Sequence, residues 1–137
     1  MFSFPIQVRL WIAPLFIALL SLVAMVFEPY SSEIFALTPT ASQWSSSFQF
    51  LTGHLLHTNN WHLLLNLLGM LLLWALHGDY YAYRRFIVIW IALSLLTGAA
   101  IHFSDPNTVY VGLSGVLHGL VVWGAVLDCK RSDKTGY

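Results

Sequence analysis

Two short strings in this sequence carry side chains capable of catalysis. Gly112-Leu-Ser-Gly115 sets a hydroxyl between two glycines at the head of an apolar run, and His62 and Asn66 stand four apart at the head of another. A serine at a helix start lies over the positive end of the helix dipole, which favours a developing alkoxide and an oxyanion beside it. Residues four apart share a helix face, and histidine and asparagine both donate hydrogen bonds, as an oxyanion stabiliser must. The chemistry outlined is acyl transfer through serine. All six acids, Glu28, Glu33, Asp79, Asp105, Asp128 and Asp133, lie outside the apolar runs. A buried Ser-His-Asp triad is therefore not available, and serine chemistry here is that of a dyad. Plainer readings exist. Gly112, Gly115 and Gly119 follow the spacing of one helix face, so Ser114 also fits a small-residue packing seam in which it bonds a backbone carbonyl. His62 and Asn66, each taken alone, fit a helix end or a helix-to-helix hydrogen bond. His54, His57 and His62 suggest a zinc or haem site, since three neutral imidazoles hold zinc with a fourth position open. Their spacing does not fix a common face, and no carboxylate stands near to orient them.

The elements that must position these groups are membrane helices. Of 137 residues 58% are hydrophobic and 9% charged, whereas soluble chains carry about 25% charged residues. Apolar runs extend over residues 10–27, 61–76, 86–103 and 110–127, each apolar all round, so the expected fold is an all-α polytopic bundle with four transmembrane helices. The first run is too long for a signal peptide core and is read as an uncleaved helix. Every lysine and arginine falls on one side: Arg9 before the first run, Arg84 and Arg85 between the second and third, and Lys130, Arg131 and Lys134 after the fourth. The positive-inside rule then makes both termini cytoplasmic and places the connections 28–60 and 104–108 outside. At about 1.5 Å per residue, Ser114 lies roughly 6 Å in from Tyr110 and Asn66 roughly 6 Å in from His62, so the polar groups, His102 and His118 among them, share one shallow outer layer. The connection 28–60, rich in Ser, Thr and aromatics such as Trp44, Phe48 and Phe50, is expected to rest in the outer interface. Zero net charge argues against nucleic-acid binding, and the single Cys129 excludes an internal disulfide.

With those positions in place, His57-Thr-Asn-Asn-Trp-His62-Leu-Leu-Leu-Asn66 followed by Gly112-Leu-Ser-Gly115 resembles the rhomboid family of intramembrane serine proteases. The longer strings Leu51-Thr-Gly-His-Leu-Leu-His57 and Gly112-Leu-Ser-Gly-Val-Leu-His-Gly119 look like its rhombosortase branch. The resemblance implies a six-helix core of which this chain holds four, with Ser114 as nucleophile and His62, Asn66 and the Ser114 backbone N–H as oxyanion donors. His57, Gly112 and Gly115 support the site, and His118 takes the position of the ring that stacks on the catalytic histidine. The implied localisation is a bacterial inner membrane with the active layer on the periplasmic side. Implied partners are the lipid bilayer and the C-terminal transmembrane anchors of secreted or surface proteins, with a Gly-Gly motif, an apolar helix and basic residues. Acyl-enzyme chemistry needs no cofactor. Gln49 stands where many members have arginine in a Trp-Arg pair, a departure that bears on how the outer loop is anchored.

The family's general-base histidine lies on the sixth helix and is absent here, so the 137-residue chain is expected to be inactive alone. Three explanations stand: a fragment of a protease, a natural short form that binds membrane segments without cleaving them, or His118 or His102 acting as base. A side chain four residues on from Ser114 lies beside the serine, which strains the linear hydrogen bond that a base requires.

Overall fold

In a medium without water, backbone N–H and C=O groups must be bonded within their own segment, so charge-free apolar runs become helices. The computed structural model describes residues 7–105 and 107–135. Its helices are α1 (Val8–Val26), α2 (Tyr30–Phe35), α3 (Gln49–Thr52), α4 (Asn60–His77), α5 (Tyr83–Ser104) and α6 (Ser114–Thr135). Among the described residues three stretches are long and apolar enough to cross a bilayer, Val8–Val26, Asn60–Tyr80 and Tyr83–Ser104. Large apolar side chains such as Leu19, Leu65, Val88 and Leu96 stand exposed on them, a surface suited to lipid. The chain is an all-α membrane helix bundle. Its basic residues Arg84, Arg85, Lys130 and Arg131 gather at one end, and the connection 28–60 covers the other, here called the loop end.

One expected span is corrected. Residues 110–127 read as one apolar run, yet α6 begins at Ser114 and residues 110–113 are not helical. Gly112 has φ +130°, a region that a right-handed helix does not visit and that L side chains rarely adopt. Tyr110 is held as an isolated antiparallel bridge to Leu37, with N···O distances of 3.1 and 2.8 Å. Gly112 therefore does not belong to the helical seam with Gly115 and Gly119. Those two do serve as a seam: a Cβ on Gly119 would stand 2.5 Å from Leu93 Cδ2, and one on Gly115 would press on the Thr97 methyl. They let α6 lie close along α5 while its other side packs on α4. The core so formed includes Ile17, Met70, Phe86, Trp90, Val116 and Leu120. At the basic end Asp128 accepts a hydrogen bond from the Tyr80 hydroxyl (2.7 Å) and lies 3.1 Å from His77 Nε2, tying the end of α4 to α6.

The connection 28–60 is a folded cap and not simply a segment lying in the interface. Ala36, Leu37, Ala41 and Leu56 are buried, while Trp44 is 94% exposed at the tip. Gln49 is the staple. Its buried amide oxygen accepts from the Thr38 hydroxyl (2.7 Å) and backbone N–H (3.3 Å), and its Nε2 donates to the Ile34 carbonyl (3.1 Å). A neutral amide thus anchors the loop. Gln49→Leu, similar in volume, loses all three bonds and is expected to destabilise the chain by roughly 3 kcal/mol at about 1 kcal/mol each. The loop tip should then be cut several times faster in timed limited proteolysis; an unchanged rate would count against the staple.

Candidate active site

The serine is placed by a segment that cannot be helical. Gly112 N–H donates to the Gly53 carbonyl (3.0 Å), and the Gly112 carbonyl accepts from the Tyr110 hydroxyl (2.9 Å). His54 Nδ1 lies 3.3 Å from that same carbonyl, and its Nε2 lies 3.0 Å from the Ser94 carbonyl on α5. Gly53 has no room for a side chain, since a Cβ there would stand 2.9 Å from the Leu37 nitrogen. The backbone before Ser114 is thereby clamped to the cap and to α5, and Ser114 opens α6 at its N-terminal turn, where the Gly115 N–H donates to the Tyr110 hydroxyl (3.4 Å).

α4 brings the second half. Asn59 caps it, its side-chain oxygen accepting the His62 backbone N–H at 2.8 Å, which starts the helix in time to set His62 and Asn66 on one face. A Cβ on Gly112 would stand 2.8 Å from His62 Cε1, 3.0 Å from His62 Nε2 and 3.9 Å from Ser114 Oγ. The imidazole and the hydroxyl therefore border the same glycine, and the glycine's bareness is what admits the ring. Asn66, 5% exposed, donates one amide hydrogen to the His62 carbonyl (2.9 Å) and keeps the other. His62, Asn66, Gly69, Ser114, Leu117 and His118 line one open groove of about 370 Å³ between α4 and α6.

The remaining histidines divide by environment. His118 Nδ1 lies 2.7 Å from the Ser114 carbonyl, which only its N–H can satisfy, so its bond goes to the serine's backbone. His102, at the end of α5, packs edge-on against Phe50 and Phe103. Among the described residues no side chain hydrogen-bonds the Ser114 hydroxyl, so neither His118 nor His102 is set as its base. His57 is buried edge-on to the His62 ring, centroids 5.0 Å apart, with no hydrogen-bond partner among the described residues. His54 turns instead to the carbonyls of Ser94 and Gly112, and among the described residues no three His, Cys, Asp or Glu side chains converge as metal ligands would. That geometry does not fit the metal-site reading. Tyr110 is the positioning residue that sequence reasoning missed; a lone tyrosine at a span end reads as an interfacial anchor, and nothing local distinguishes this one.

Burial, reinforced by the neighbouring His62, holds the His57 imidazole well below the usual histidine range, at about 4. Burial also lowers His54. Above pH 6.5 neither the folded nor the unfolded chain carries these protons. As pH falls the unfolded chain takes a proton at His57 that the folded chain refuses until about 4, so stability drops across that window and levels off below it. The expected loss from His57 is roughly 3 kcal/mol. Thermal midpoints in detergent between pH 7.5 and 4.5 should fall for the parent and much less for His57→Phe; parallel falls would refute this account.

Fold and groove together define a membrane helix bundle with a serine at a helix start facing a histidine and an asparagine across an open groove between α4 and α6. The family model of the rhomboid domain matches residues 41–135. The chain belongs to the rhomboid family, a family of intramembrane serine proteases. No curated protein matches it.

Proposed function

We propose that this chain carries the nucleophile and oxyanion site of an intramembrane serine endopeptidase of the rhombosortase kind, seated in a bacterial inner membrane with its loop end toward the periplasm. The observation that carries the proposal is the approach of the His62 ring and the Ser114 hydroxyl to the same bare glycine, in a groove that Asn66 also lines. In this reading Ser114 Oγ attacks the carbonyl carbon of a peptide bond, and its proton passes to a base entering from the groove's open side; in the family that base is a histidine on the sixth helix. The carbonyl oxygen gains charge as the tetrahedral intermediate forms. His62 Nε2, the second Asn66 amide hydrogen and the Ser114 N–H receive it. As the intermediate collapses the base returns that proton to the departing amine of the new N-terminus, leaving an acyl-enzyme, which water hydrolyses.

The substrates proposed are C-terminal anchors with a Gly-Gly motif ahead of an apolar helix and basic residues. Glycine suits the cut site because a helix must unwind there to present its peptide bond, and glycine weakens the helix by roughly 1 kcal/mol relative to alanine. The groove walls Leu65, Leu72 and Val121 are apolar, as a membrane helix requires. The test expresses the gene in a host lacking its own rhomboids, with a secreted reporter bearing such an anchor. Release by the parent and not by Ser114→Ala is expected; equal release by both overturns the protease reading.

A further inference from the structure

We propose that Thr58 is a positioning residue that holds His62 as the Nε2–H tautomer, so that the ring offers a proton and not a lone pair to the groove. The inference rests on the reading of His62 as an oxyanion donor, but the hydrogen bonds behind it are independent of that reading. Asn59 Oδ1 accepts the His62 backbone N–H at 2.8 Å, which fixes which way this amide points, because the flipped amide would set one donor against another. Its Nδ2 then donates to Thr58 Oγ1 at 3.3 Å. The hydroxyl, having received one proton, has its own proton to give, and His62 Nδ1 lies 3.3 Å away. The order Asn59 amide, Thr58 hydroxyl, His62 Nδ1 runs donor to acceptor at each link. An imidazole accepting at Nδ1 carries its proton on Nε2. That nitrogen is the one beside Gly112.

The opposite tautomer would turn a lone pair toward the developing oxyanion and repel it. Thr58 also restrains the rotation of a ring whose other neighbours, the edge of His57 and the bare face of Gly112, give it no directional bond. Thr58 and Asn59 are exposed, so the relay contributes little to the core and its loss should leave the fold intact.

The test uses the full chain in lipid nanodiscs with ¹⁵N-labelled histidine. Two-bond ¹⁵N–¹H correlation spectra distinguish the tautomers, and His62→Gln assigns the signal. The parent and Thr58→Ser should show only the Nε2–H form of His62, with Nδ1 shifted as a hydrogen-bond acceptor. Thr58→Val, isosteric but without the hydroxyl, should lose that shift and gain a detectable Nδ1–H population, with the circular dichroism spectrum unchanged. A Thr58→Val spectrum identical to the parent's overturns the proposal. In the reporter assay Thr58→Val should lower kcat about fivefold with KM unchanged, the equivalent of one net hydrogen bond, and Thr58→Ser should restore it. A changed tautomer with unchanged cleavage would support the relay and overturn the oxyanion role of His62, so the two failures are distinguishable.

Discussion

Ser114→Ala should abolish reporter release, a loss on the order of 10⁶ in kcat, as deletion of a serine nucleophile costs in well-characterised hydrolases. Nothing else in the groove can replace it. The other polar side chains lining the cavity, His62, Asn66 and His118, already make hydrogen bonds to Thr58, the His62 carbonyl and the Ser114 carbonyl respectively. The fold should not notice. Among the described residues the Ser114 hydroxyl makes no hydrogen bond, so alanine removes a half-buried oxygen and costs within about 0.5 kcal/mol of stability. A fluorophosphonate probe should label the parent at Ser114 and leave the alanine variant unlabelled. If thermal midpoints agree while release and labelling both vanish, serine chemistry is established; if release survives, Ser114 is not the nucleophile.

Gly112→Ala is expected to be nearly as severe for a different reason. At φ +130° a side chain is strained by about 1–3 kcal/mol wherever it points. Here it also points at the site, since its Cβ would stand 2.8 Å from His62 Cε1 and something must shift. The clamps on Gly112 from Gly53, Tyr110 and His54 resist movement of the backbone, so the ring is displaced. An oxyanion donor moved out of reach lowers kcat by a factor of about 10²–10³. Gly119→Ala is the control: its Cβ meets the tip of the flexible Leu93 side chain, which can turn aside, and cleavage should change little. Loss of both stability and release in Gly112→Ala, against mild effects in Gly119→Ala, would separate a strained site glycine from a packing glycine. Equal effects would refute the distinction.

The membrane helices were legible in the sequence because absence of charge is a strong and local signal, with Leu10 to Phe27 the plainest case. The start of α6 was not. Val111 and Leu113 are as apolar as the helix that follows, so hydropathy joins them to it, and only the glycine between them hints at the break. Residues 62 and 66 could be set on one face, since helical rise is a fixed length per residue, but the depth of Ser114 could not be counted from Tyr110 because 110–113 are not helical. What ties the three together was not legible either, because the bonds of Tyr110 to Leu37 and of Gly112 to Gly53 join positions far apart in the chain. The cap shows the same limit. Its short helices and turns follow from burial of Ala36, Leu37 and Leu56 and from the Gln49 bonds, none of which leaves a periodic trace.

The late start of α6 bears on the lipid around it. From Ser114 to Leu127 its apolar part rises about 20 Å at about 1.5 Å per residue, against a hydrocarbon core of about 30 Å. Asp128, with its contacts to Tyr80 and His77, closes that stretch at the basic end, so the apolar part is about a third shorter than an ordinary hydrocarbon core. Such hydrophobic mismatch is met by thinning of the lipid beside the short helix. The expected consequence is a bilayer thinned beside α6, whose apolar stretch is the shortest of the four long helices, with headgroups drawn toward the serine.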